Sequence, residues 1–180
     1  MAGSDLADKK VLMVIAQKNF RDEEFFEPRE IFEDAEMDVT VASNSTDEAV
    51  GVLGGKVRPD TTIDNVNIAD FDAVVIAGGG GSREFLWSNK KLLKFVKDAF
   101  DHEKVLAAIC ISPVVLARAG VLENRKATVF KDAACIKELE KGGASYEEED
   151  VIVDDNVVTA CGPEAAEKFG EAVLEALERF

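Results

Sequence analysis

Histidine is nearly absent from this chain: His102 is the only one in 180 residues. Any Cys–His catalytic pair would have to use it. Cysteine is scarce too, with Cys110, Cys135 and Cys161 alone. An odd number at wide spacing does not suggest the disulfide framework of a small secreted protein, and a reducing cytoplasm is the expected compartment. No apolar run is long. Ala73–Ala77 and Val105–Ile111 fall far short of the ~20 residues a spanning helix needs, so no membrane role is expected. Basic residues are outnumbered 21 to 36, for a net charge of −15. No basic stripe interrupts this, which argues against nucleic-acid binding. The opening MAGSDLADKK has no signal-peptide apolar core, and residues 1–9 read as a flexible tail. Four prolines and thirteen glycines are dispersed, without linker, repeat or low-complexity tract.

What is present is globular composition, 47% hydrophobic and 32% charged, enough for one domain over residues 1–180. Short apolar runs read as strands at Val11–Ala16, Met37–Ala42, Ala73–Ala77 and Val105–Ile109, with another over Ala127–Phe130. Helical patterns cover Asp22–Ala35, Asn89–Phe100, Pro113 to about Arg118, Cys135–Lys141 and Glu164–Phe180. Pro28 is expected in an early helical turn, where a missing N–H matters least. Val50–Val57 reads as a hairpin turning at Gly54-Gly55, and Val151–Val153 with Val157–Ala160 as another. Alternating strands and helices predict an α/β fold with a mostly parallel central sheet covered on both faces. Right-handed crossovers then bring Phe20–Glu24, Gly78–Ser82 and Cys110–Pro113 to one pole of the sheet.

Cys110 stands out there. It follows a strand and precedes a helix, where unpaired N–H groups favour a thiolate and lower its pKa. The tight turn projects the side chain away from the core. The run Gly78–Gly81 is either a flexible turn or a backbone that approaches a ligand and holds an oxyanion. It is no phosphate motif, because neither Walker A spacing nor GxGxxG is present. Glu23 and Glu24 are either an acidic surface turn or the source of a protonated carboxyl beside Cys110. His102 precedes the strand that ends at Cys110. Eight residues of strand separate the two by roughly 25 Å, so they form no dyad within one chain.

Four segments, in order over Lys10–Leu177, carry a family resemblance. AAICISP (Ala107–Pro113) resembles the AICxGP nucleophile elbow of the DJ-1/PfpI superfamily, which is class I glutamine amidotransferase-like. VVIAGGG (Val74–Gly80) resembles its VVxPGG oxyanion loop. FRDEEFFEP (Phe20–Pro28) resembles the segment carrying its glutamate, which falls on Glu24. VVTACGP (Val157–Pro163) resembles the ITSRGP segment before the last helix. The resemblance implies a flavodoxin-like three-layer sandwich and a homodimer or higher homo-oligomer. It implies Cys110 as the reactive residue, Glu24 as its protonated partner, and the Gly79 and Ile111 backbone N–H groups as an oxyanion pocket. Gly78, Ser112, Phe130 and Cys161 are placed around that pocket. No cofactor or metal is implied.

The departures from the pattern redirect the expected chemistry. Ile111 stands where the protease-like branch has a histidine, and Phe130 where the DJ-1-like branch has another. Ser112 replaces a glycine, Cys161 an arginine and Ala77 a proline. Amide hydrolysis is disfavoured, since general acid–base catalysis is worth about 10²–10⁴ in rate and no imidazole is in place. The first expectation is an atypical member whose Cys110 responds to oxidants or electrophiles. Glyoxalase III-like or deglycase-type chemistry on small aldehydes or glycated adducts is the alternative. A non-catalytic chaperone-like or structural oligomer is the third. Cys161 is open to resolving an oxidised Cys110 or joining Cys135 on a soft metal, but both are expected to be packed, inert thiols.

Overall fold

The computed structural model describes residues 6–180. In chain order, β1 (Lys10–Val14) and β2 (Lys18–Phe20) lead into α1 (Asp22–Asp34). Then come β3 (Asp38–Ser43), the hairpin β4 (Ala49–Gly51) and β5 (Lys56–Val57), β6 (Thr61–Thr62) and β7 (Ala73–Ile76). Helices α2 (Gly80–Phe85) and α3 (Lys90–Asp101) precede β8 (Val105–Ile109) and α4 (Pro113–Arg118). The chain closes with β9 (Lys126–Ala127), α5 (Ala133–Lys141), β10 (Ser145–Tyr146), β11 (Val151–Asp154), β12 (Val157–Ala160) and α6 (Ala166–Arg179).

The main sheet runs β11-β12-β8-β7-β1-β3-β6. All its pairs are parallel except β11 on β12, the expected second hairpin. Every residue of β7, β8 and β12 is buried, which requires cover on both faces. Helices α1 and α6 pack on each other, while α4 packs against α3 and α5. The chain first moves from β1 to β3 and then crosses to β7 on the other side of β1. That reversal opens a crevice at the carboxyl ends of the strands.

Several expectations need correction. Pro28 lies in the second turn of α1, early as expected but at a position where an N–H would have had a partner. It removes the N–H that would bond the Glu24 carbonyl. The helix survives because α6 clamps it: a Cβ on Gly170 would meet Ile31 Cδ1 at 2.8 Å and Pro28 Cα at 3.2 Å. The strand expected over Ala127–Phe130 is only Lys126–Ala127, paired with β10. Beyond it the donors leave the ladder, Thr128 N–H to Thr159 Oγ1 (3.0 Å) and Phe130 N–H to the Cys110 carbonyl (2.7 Å). The last helix starts at Ala166, after a 3₁₀ turn over Pro163–Ala165. Residues 1–5 of the expected tail lie outside the described residues, but Leu6 is buried in the core. Among the described residues no helix is long and apolar enough to cross a membrane.

Candidate active site

The carboxyl ends of β1, β7 and β8 bring together the three expected segments. Cys110 follows β8 directly and has φ of 65°. That left-handed backbone is costly for a residue with a Cβ, and it marks a strained elbow. The elbow is pinned on three sides. Cys110 N–H donates to the Ala160 carbonyl (2.9 Å), its carbonyl accepts from Phe130 N–H, and Trp87 Nε1 donates to the Ile111 carbonyl (2.9 Å). The residue is only 8% exposed.

Glu24 comes from the first turn of α1 and is fully buried. Gly78 N–H donates to its Oε1 (2.9 Å). Oε2 is buried with no hydrogen-bond partner among the described residues, and the carboxyl lies beside Cys110 across Gly78. Gly78 has to be glycine. A Cβ there would sit 2.6 Å from both Cys110 Cβ and Glu24 Oε1. Gly79, with φ of 97°, turns the chain against the backbone of Asn19–Arg21, and its N–H favours the thiolate of Cys110. The Ile111 N–H acts on that sulfur in the same sense. They are the two N–H groups that the family resemblance names for an oxyanion pocket.

Ser112 lies beneath. Its Oγ donates to the Ala77 carbonyl (2.6 Å), which spends its one proton. The Ser82 hydroxyl at 2.7 Å must therefore donate to Ser112. This buried Ser82–Ser112 pair ties the glycine loop to the elbow.

The electrostatics follow from burial. Desolvation raises the Glu24 carboxyl to about 8, against smaller opposing contributions from Cys110 and the Gly78 N–H. Glu24 is thus mostly protonated at neutral pH. Burial, and then Glu24, also push the Cys110 thiol well above its usual range; the N–H groups of Gly79 and Ile111 pull the other way without winning. This corrects the expectation of a lowered thiol. The helix dipole does not help, because α4 has only six residues and Ser112, not Cys110, is its N-cap.

A cleft of about 440 Å³ opens over the sulfur, lined by Cys110, Gly79, Ile111 and Phe130 and also by Arg21, Val52, Arg83 and Asp132. The last four escaped the sequence reading. Arg21 lies inside the FRDEEFFEP motif and Arg83 directly follows the Gly78–Ser82 segment, but nothing local marks either arginine as facing a cleft. Val52 and Asp132 carry no local signal. Cys161 is not on the cleft wall: it is half-buried in a separate depression with Tyr146, Asp150 and Lys168. Cys135 is buried, and burial followed by Asp132 raises its thiol to about 11. His102 ends α3, exposed, with Nδ1 2.7 Å from the Asp98 carbonyl. Among the described residues no group of three or more His, Cys, Asp or Glu is arranged for a metal.

Residues 9–176 match the DJ-1/PfpI family. The chain belongs to it. It is 51% identical to an uncharacterized protein of Methanocaldococcus jannaschii, over 97% of this chain and 85% of that one. It is 31% identical to Protein/nucleic acid deglycase 2 of Escherichia coli, over 94% and 98%. The crystal structure of a ThiJ/PfpI domain protein from Brachyspira murdochii superposes with a TM-score of 0.91 at 34% identity, covering 96% of this chain and 98% of that one. The mostly parallel sheet ringed by helices is therefore the flavodoxin-like fold of this DJ-1/PfpI member.

Proposed function

We propose that Cys110 is a nucleophile toward small electrophiles, and that its substrates are aldehydes of the α-oxoaldehyde kind or the adducts they leave on other molecules. One observation carries this reading. A buried carboxyl, one oxygen of which has no hydrogen-bond partner among the described residues, lies beside a strained elbow thiol, and two backbone N–H groups act on the same sulfur. Glu24 takes the thiol proton as sulfur bonds to the carbonyl carbon. The Gly79 and Ile111 N–H groups stabilise the oxygen that becomes negative. The E. coli relative named a deglycase supports the same electrophile class. Because Glu24 gives up its proton near pH 8, the charged form of the pair grows through that pH and the rate rises with it.

The test is lactate formation from methylglyoxal by the purified protein. Cys110→Ser is expected to abolish it, and Glu24→Gln to lower kcat about 10²-fold or more and remove the inflection near pH 8. Full activity in Cys110→Ser would sink the proposal.

Oxidation is a second reading, favoured by the same two donors. A sulfinate on Cys110 would take up the Gly79 and Ile111 N–H groups and a protonated Glu24. Graded peroxide followed by mass spectrometry should modify Cys110 before Cys135 and Cys161; equal modification of all three would remove this reading.

A further inference from the structure

In a chain of net charge −15, the wall of the Cys110 cleft is an exception. Its formally charged residues are Arg21, Arg83 and Asp132, two cations and one anion. The two arginines differ in what they are free to do. Arg21 is taken: its Nε and Nη2 donate to Glu23 at 2.9 and 3.0 Å. Arg118, outside the cleft, is bound in the same two-pronged way to Glu138. Arg83 is not. Its side chain is 55% exposed, and among the described residues only Nη2 has polar neighbours, Asp132 at 3.6 Å and the Cys135 sulfur at 3.8 Å. Asp132 is itself occupied as the cap of α5, accepting from Cys135 N–H at 3.1 Å. Among the described residues, Nε and Nη1 of Arg83 have no acceptor.

The guanidinium is nonetheless held in place. It stacks on the Trp87 ring, 4.7 Å from the centroid, while Arg118 covers that ring at 5.2 Å. Trp87 in turn is bonded to the elbow through the Ile111 carbonyl. Arg83 is thus a fixed, planar donor fork in the same small cleft as the reactive sulfur, the geometry that suits a carboxylate or phosphate. The remaining wall, Val52, Ile111, Phe130 and Pro163, is apolar. A cleft of about 440 Å³ fits a small metabolite.

We propose that the cleft is built for a carbonyl compound carrying an anionic group, a carboxylate or phosphate held by Arg83, with the carbonyl presented to Cys110. This rests on the reading of Cys110 as a nucleophile toward aldehydes. Arg83 then determines which aldehydes are preferred, and Trp87 positions it.

Two measurements separate the claims. The first needs no turnover. Trp87 is the only tryptophan in the chain, so its fluorescence reports on Arg83 directly. In the unreactive Cys110→Ala protein, oxalate or inorganic phosphate should give a saturable change in Trp87 fluorescence, and whichever binds more tightly identifies the anion. Arg83→Gln should raise Kd ten- to hundredfold, the range expected for a charged hydrogen bond, with Arg83→Lys between. A response that fails to saturate with both anions, or an unaltered Kd in Arg83→Gln, would overturn the subsite. The second measurement is kcat/KM on glyoxylate and glyceraldehyde 3-phosphate against neutral methylglyoxal. Arg83→Gln should lower it on the preferred anionic aldehyde at least tenfold more than on methylglyoxal. An equal loss on all three would mean that Arg83 only supports Trp87 and the elbow. If no aldehyde is turned over yet the anion binds through Arg83, the nucleophile reading fails and the anion subsite stands.

Discussion

At the residue scale, the site depends on one buried proton. The folded protein holds the Glu24 proton to about pH 8, whereas an unfolded chain releases it near 4.5. The stability from this group is therefore whole below about pH 4.5 and is lost as pH rises through about 8, on the order of 5 kcal/mol in all. Glu24→Gln keeps an acceptor for Gly78 and cannot titrate. Urea unfolding from pH 5 to 9 should show a shallower decline of stability in Glu24→Gln than in the parent; parallel curves would mean that Glu24 is ionised in the fold. Ser112 is a second case. In the sequence it is only a departure from the AICxGP pattern, yet its hydroxyl serves both Ala77 and Ser82. Ser112→Ala leaves both without their partner, and should cost about 1–3 kcal/mol in denaturant unfolding and lower the reactivity of Cys110.

At the element scale, the parts that position the site differ in how openly the sequence announces them. Strands β7 and β8 are unbroken apolar runs, and the residues just past them are the elbow and the glycine loop. Helix α2 is hidden, because it begins inside the glycine run, at Gly80, where propensity argues against helix. Strands β2, β6 and β10 are two or three residues long and are held by partners remote in sequence, so no local periodicity marks them. The β4–β5 hairpin is legible from Gly54-Gly55, but its tie to the site is not. Asp22, in the first turn of α1, accepts from Leu53 N–H (2.8 Å) and Gly55 N–H (2.7 Å), and so fixes the loop that carries Val52 to the cleft. Asp22→Ala should speed hydrogen exchange at Leu53 and Gly55 and cost about 1–3 kcal/mol. Unchanged protection of both amides would show that the turn holds itself.

At the scale of the whole molecule, fold class and pole were legible because alternation, burial and crossover handedness all point the same way. The equipment of the cleft was not, because Arg21, Val52, Arg83 and Asp132 come from four separate segments and meet only in three dimensions. The same holds for the thiol. Position suggested a lowered pKa, and burial beside Glu24 reverses the direction. Charge acts globally as well. With 36 acidic against 21 basic residues, self-repulsion opposes the compact state. Among the described residues, most of the ion pairs are solvent-exposed and contribute little each. Raising NaCl from roughly 0.05 to 1 M should therefore raise Tm by a few degrees; a fall would mean that the surface pairs outweigh the repulsion.

The central claim is that Cys110 and Glu24 act as one unit, with the carboxyl as proton acceptor for the sulfur. It is tested most directly by the pH dependence of iodoacetamide alkylation at Cys110, followed by peptide mass spectrometry in the parent protein and in Glu24→Gln. The expected result is a rate at Cys110 that exceeds those of Cys135 and Cys161, climbs through an inflection near pH 8, and loses that inflection in Glu24→Gln. An inflection that persists unchanged without the carboxyl, or a Cys110 no faster than the other two thiols, would contradict it.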